Sequence, residues 1–205
     1  MCKWIDEKVE SKEGGRMADN TWQDLEGAIG KDFSGGETRT GADEVERGAI
    51  RKYCEPIELD CPLHHDDDVA KKYGYDGIIA PYSAVHQTFA VEANWAPGDE
   101  TRWPTNDPDQ LFASDPNQGR RGIPLPHPPT TSGFVTDMEI EYVKPVYVGD
   151  RLTTSGRKLL SVQVKKTSVG FGAFMTFESE IHDQKGDLVA RVRNGSYAFN
   201  PGADS

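Results

Sequence analysis

The second half of the chain alternates. Met138, Ile140 and Tyr142 are separated by Glu139 and Glu141, and a period of two is that of a strand with one covered face. The alternation returns at Leu160, Val162 and Val164, in a stretch from Arg151 to Val164. It returns again at Ala173, Met175, Phe177, Ser179 and Ile181, in Phe171 to His182. A last run spans Leu188 to Phe199. Pro145 with Gly149-Asp150 marks one turn, and Gln184-Lys-Gly-Asp187 reads as a hairpin connection. Four strands from about Thr136 onward, mostly antiparallel and in hairpin order, are expected.

The first half carries helical spacing instead. Trp22, Leu25 and Ile29 predict a helix ending at Gly30, and 31–41 reads as a loop. Val45, Ala49, Ile50, Tyr53 and Cys54 mark an amphipathic helix from about Ala42 to Cys54, which Pro56 stops. A short helix from Asp66 to Tyr73 has carboxylates at its N-terminus and Gly74 as its C-cap. Gly77-Ile-Ile-Ala80 is an apolar extended run. Pro81 then opens a helix to about Trp95, bearing Ala84, Val85, Phe89, Ala90, Val91 and Ala93, apolar on most sides and expected to be buried. A sheet with one apolar face needs a cover, and this helix is the obvious one. The expected fold is therefore α+β of the hot-dog kind, a curved antiparallel sheet wrapped around a central helix.

Residues 1–20 are polar and charged and read as a disordered tail, with Met17 a second candidate start. Residues 21–200 read as a single domain and 201–205 as a polar tail. The stretch 96–133, rich in Pro, Gly, Asp and Asn, is too long for an ordinary connection and reads as an ordered insertion anchored by Trp103, Leu111, Phe112 and Ile123.

Charge and composition narrow the function classes. The 205 residues carry a net charge of -11, which argues against nucleic acid as a partner. No stretch has the apolar length of a membrane span and no secretory leader is visible, so a cytoplasmic location is expected. Cys2, Cys54 and Cys61 have neither disulfide-framework nor zinc-ligand spacing. His64-His65 before Asp66-Asp67-Asp68 has the composition of a metal site. Adjacent side chains point apart, however, and the carboxylates suit a helix N-terminus, so no metal and no cofactor are expected.

The chemistry concentrates between Ile57 and Phe89. A polar turn carries His64, an acid/base candidate, with Asp60 four residues before it. Pro81, Tyr82 and Ser83 begin the next helix, whose first amides lack intrahelical partners and can polarise a thioester carbonyl. Arg120 and Arg121 form a local basic pair able to meet phosphates on an acidic background.

Five segments together carry a resemblance. They are Val45-Glu-Arg-Gly-Ala-Ile-Arg-Lys-Tyr53, Cys61-Pro-Leu-His64, Gly77-Ile-Ile-Ala-Pro81, Glu141-Tyr-Val-Lys-Pro-Val-Tyr-Val-Gly-Asp150 and Gln184-Lys-Gly-Asp-Leu-Val-Ala190. In order and spacing they resemble the MaoC-like acyl dehydratases, in particular the N-terminal, fatty-acid-synthase-type dehydratase domain. The non-catalytic subunit of mycobacterial (3R)-hydroxyacyl-carrier-protein dehydratase belongs to the same group. The resemblance covers roughly Trp22 to Phe199.

It implies addition or removal of water at a 2-enoyl or 3-hydroxyacyl thioester of CoA or acyl carrier protein, in fatty-acid or steroid side-chain metabolism. His64 falls on the motif histidine, Pro62 on its proline and Cys61 on its asparagine. The motif aspartate falls on Leu59, with Asp60 one residue off, and Pro81-Tyr82 stands where the family tends to place His-Gly. In the family such degenerate domains are fused or paired with a second domain that keeps the full motif. The chain ends just after its sheet, so the expectation is a separate subunit that shapes the acyl pocket beside a MaoC-like catalytic partner, in a heterodimer, heterotetramer or homodimer. The alternatives are an acyl-CoA-binding scaffold without turnover and an acyl-CoA thioesterase using Glu92.

Overall fold

In the computed structural model of the chain, residues 20–99, 101 and 122–202 are described. Their framework is a five-stranded antiparallel sheet: β1 (Thr38–Thr40), β2 (Ser132–Tyr142), β3 (Thr153–Thr167), β4 (Gly170–His182) and β5 (Leu188–Asn200). The strands lie in the order β1-β3-β4-β5-β2. The four long strands form where the alternation places them, and β1 adds a short edge from the stretch read as loop. The connection around Gln184–Asp187 is the hairpin turn its residues call for, closed by Gly186 at φ 85 and by the Gly186 amide on the Asp183 carbonyl at 3.0 Å.

Register separates two faces. Glu178 stands opposite Arg193, and Glu180 opposite Arg191; across β2, Glu139 and Glu141 meet the same two arginines. The outer face is therefore an ion-pair ladder, with Arg193 holding Glu178 at 2.9 Å and Glu139 at 3.1 Å. The intervening residues face inward and build two buried clusters. One joins Ile181, Val189 and Val192 to Ile50, Ile78, Val85 and Leu152. The other joins Leu159, Ala173 and Met175 to Leu25, Ala28 and Phe33.

Four short α-helices are described: α1 (Trp22–Glu26), α2 (Arg47–Cys54), α3 (Asp67–Lys72) and α4 (Tyr82–Ala84). Thr21 and Asp24 form a capping box at α1. Helix α2 starts five residues later than its spacing suggests. Val45 is held extended instead, its amide on the Asp150 carbonyl and its carbonyl under the Gly149 amide, both at 2.8 Å. Asp66 caps α3, and Gly74 at φ 90 follows its end.

The expectation of a curved sheet wrapped around a central helix is corrected here. The sheet is open, since β1 and β2 do not pair, and among the described residues no long helix crosses its inner face. The segment expected to be helical from Pro81 to Trp95 is one turn of α4 followed by a single π turn, Val85–Phe89. Ala84, Val85, Phe89 and Ala90 are buried, whereas Val91 and Trp95 are 39% and 53% exposed. Ala84 with Phe89, and Val85 with Ala90, are five residues apart, the spacing of a π turn, and the Ala90 amide meets the Val85 carbonyl at 3.0 Å. Thr88 and Glu92 interrupt the stripe that a longer α-helix would need. The chain turns away after Phe89, and the Ala42 amide takes the Val91 carbonyl at 2.9 Å.

Residues 1–19 of the tail, and Trp103, Leu111 and Phe112 of the long insertion, lie outside the described residues. Ile123 is described, and its amide meets the Phe33 carbonyl at 2.9 Å. No helix among the described residues is long and apolar enough to cross a membrane.

Candidate active site

The turn carrying His64 is a single 3-10 turn, Pro62–His64, stapled to the extended run before α4. The Ile79 amide donates to the Leu63 carbonyl at 3.2 Å. In return His64 Nδ1 lies 2.9 Å from the Ile79 carbonyl. A carbonyl only accepts, so Nδ1 carries a proton, and in the neutral ring Nε2 is the nitrogen that holds the lone pair. The half-buried ring is thus held in the tautomer a general base needs.

The same run is fixed from behind. The Ala80 amide meets the Val146 carbonyl at 2.8 Å, and Ile79 bridges to Tyr147 in the connection between β2 and β3. A clamp closes the other side. Arg47 of α2 donates to Asp67 at 2.9 Å and to the His65 carbonyl at 3.0 Å, while Asp67 accepts the Ile78 amide at 3.1 Å. The Ile78 amide and the Arg47 guanidinium hold the Asp67 carboxyl below its ordinary range. His65 is spent structurally, its Nε2 on the Leu59 carbonyl at 2.9 Å.

Leu59 is partly buried and packs against the first buried cluster. Asp60 is exposed, and among the described residues no ion pair joins it to His64. Pro81 is buried and Tyr82 and Ser83 are exposed at the start of α4. The Tyr142 hydroxyl donates to the Tyr82 carbonyl at 2.6 Å, and the two rings lie 4.7 Å apart. Burial, and then the neighbouring Tyr75 and Tyr147, push the Tyr82 phenol above its usual pKa.

His86 enters the π turn with its Nδ1 buried and without a hydrogen-bond partner among the described residues, and burial lowers its pKa. Glu92 lies beyond the π turn and outside any helix, not on a central helix as a thioesterase carboxylate would be. Arg120 and Arg121 lie outside the described residues.

Cys54 is buried and Cys61 half-buried, both free thiols. Burial raises the Cys54 pKa, with Cys61 adding to the effect, which is the opposite of nucleophile activation.

Three features went unread in the sequence: the Ile79 carbonyl as the partner of His64, the Arg47–Asp67 clamp, and a polar cavity on the inner sheet face. Each links residues 11 or more positions apart. No local motif announces them.

Comparison with known proteins agrees with this framework. Residues 32–192 match the family described as FAS1-like, dehydratase domain region. A probable enoyl-CoA hydratase alpha subunit of Thermomonospora curvata is 26% identical over 170 residues, 81% of this chain and 48% of that protein. The chain thus spans about half the length of that relative. A UPF0336 protein of Saccharopolyspora erythraea is 30% identical over 155 residues, 76% of this chain and 81% of that protein. Among solved structures, the ChsH1-ChsH2 complex of Mycobacterium tuberculosis superposes with a TM-score of 0.55 at 18% identity, over 82% of this chain and 85% of that one. A MaoC-like dehydratase of Rhodospirillum rubrum does so at 0.50 and 19%, over 82% and 93%. With the family match running from the loop before β1 into β5, the chain belongs to the family described as FAS1-like, dehydratase domain region.

Proposed function

We propose that the chain is one subunit of an enoyl-thioester hydratase or (3R)-hydroxyacyl-thioester dehydratase, working beside a MaoC-like catalytic subunit. Water addition needs a base to take a proton from water as oxygen bonds to C3, and an acid to deliver a proton at C2. His64, with Nδ1 committed to the Ile79 carbonyl and Nε2 open, suits one of these roles. The second acid/base position is Leu59, turned into the core. This half-set is the observation that carries the reading, because it leaves the other half to a partner. Asp60, exposed beside the turn, is the chain's own candidate for the missing group, and Pro81, Tyr82 and Ser83 would border the thioester. The acyl group would be presented on CoA or a carrier protein, in the cytoplasm.

The partner's place is argued from the sheet. Strand β2 is eleven residues long and, among the described residues, pairs on one side only, with β5. Its free edge carries Phe134, Val135 and Met138, at 49%, 70% and 43% exposure. Long edges of this kind invite another chain, and edge-to-edge pairing there would join two domains into one sheet.

The test is a spectrophotometric hydration assay on a 2-enoyl-CoA, with the chain alone, with its His64→Ala variant, and with a co-purified MaoC-like subunit. The expected result is no turnover or weak, His64-dependent turnover alone, and strong turnover in the complex. Full activity without a partner, or thiol release in place of hydration, would sink the proposal.

A further inference from the structure

Among the described residues, no helix covers the centre of the sheet's inner face. The first buried cluster lies over Ile181 and Val192 and the second over Leu159, Ala173 and Met175, because the π turn ends the helical segment early. Between them is a cavity of about 290 Å³, lined among others by Arg39, Arg157, Phe177, Asn194 and Ser196. That volume is at the small end of ligand sites.

Its chemistry does not suit a gap in a core. Arg157 reaches it through a β-bulge. Ser155 pairs with Glu180 and Lys158 with Glu178, so Gly156 and Arg157 together stand opposite Ser179 alone. Gly156 takes φ 76, and its carbonyl accepts the Ser179 hydroxyl at 2.8 Å. Asp32 holds the bulge from outside, accepting the Arg157 amide at 2.8 Å along with the Ser34 amide and hydroxyl. Bulges re-aim side chains, and this one lays the Arg157 guanidinium 4.7 Å from the centre of the Phe177 ring.

Arg39 enters from β1. Among the described residues neither guanidinium has a carboxylate within ion-pair distance, although Glu37 also lines the cavity and lowers its net positive charge. The side chains of Asn194 and Ser196, aimed inward from β5, likewise have no hydrogen-bond partner among the described residues. On a chain of net charge -11, two arginines over one polar cavity without a carboxylate partner among the described residues are an arrangement that a bound anion would complete.

We propose that this cavity is a binding site for a small organic anion. Its carboxylate or phosphate oxygens would lie between Arg157 and Arg39, and its apolar part against Val135 and the Phe177 ring. Burial and the charge of Arg39 lower the Arg157 pKa, a strain that an anion relieves. The site is distinct from the His64 turn and stands whether or not the hydratase reading does.

Isothermal titration of the full chain with inorganic phosphate, adipate and the neutral hexane-1,6-diol tests it. Saturable binding of phosphate or adipate is expected, weakening as salt rises. It should fall at least about tenfold in Arg157→Gln, fall less in Arg39→Gln, and be unchanged in His64→Ala. Binding of one anion and not the other identifies phosphate or carboxylate as the group recognised. Arg39 is exposed on a three-residue edge strand, so its variant keeps the test valid if Arg157→Gln unfolds. Absence of binding by both anions, binding that ignores both arginine variants, or diol binding equal to adipate would overturn the proposal.

Discussion

Asp183 offers the cleanest quantitative test of the fold, because its two oxygens do different work. Oδ1 accepts the Lys185 and Asp187 amides of the hairpin turn, each at 2.9 Å. Oδ2 accepts the Lys144 ammonium at 2.6 Å and so ties that turn to the end of β2. The side chain is 3% exposed and that of Lys144 31%. Asp183→Asn keeps an oxygen for the turn and places an amide NH2 against the ammonium, which Asp187 then holds alone at 3.0 Å. A hydrogen bond to a charged partner contributes about 1.5–3 kcal/mol, and Asp187, 62% exposed, recovers only part of that. The expected loss is about 1–2 kcal/mol.

Asp183→Ala also frees the two amides, adding about 1–2 kcal/mol. The Lys144 bond and the turn amides hold the Asp183 carboxyl below its ordinary value of 3.8. A depressed carboxyl pKa contributes stability that is complete above the unfolded-state value and is lost as pH falls through the folded one. Urea unfolding followed by circular dichroism should therefore show the gap between wild type and Asp183→Asn constant from pH 8 to pH 5 and closing below about pH 4. Equal stability of the two proteins at pH 7, or a gap of the same size at pH 3, would refute the reasoning.

Two further substitutions probe the region around the candidate site. A Cβ at Gly41 would stand 2.3 Å from the Phe89 carbonyl oxygen. Gly41→Ala must therefore displace the end of the π turn and should cost about 1–3 kcal/mol in urea unfolding, with faster hydrogen exchange at the Ala42 amide. Leu59→Asp places an aspartate where the resemblance implies one. It sets an unpaired carboxylate against the buried cluster, so about 2–4 kcal/mol should be lost in the same assay and no hydration activity gained by the chain alone.

The strands were legible because one face of each is buried and the other charged, so Glu139, Glu141, Glu178 and Glu180 alternate with core residues and leave one register open. The hairpin at Gln184–Asp187 and the cap at Asp66 were legible for a similar reason: a short stretch of sequence contains the whole device. The helix from Pro81 failed where hydrophobicity alone was read. Ala84, Val85, Phe89 and Ala90 are apolar enough for any buried helix, and only their five-residue spacing separates a π turn from an α-helix.

The consequence reaches the sites. With that segment ending early, no described helix covers the inner face between the two clusters. Polar Ser179, Asn194 and Ser196 occupy those positions on β4 and β5. They lie on the inward-facing parity with Ile181 and Val192, and a packed helix above them would have left their groups unsatisfied. These inward polar residues and the shortened helical segment are thus one feature, and the bulge that turns Arg157 inward belongs to it.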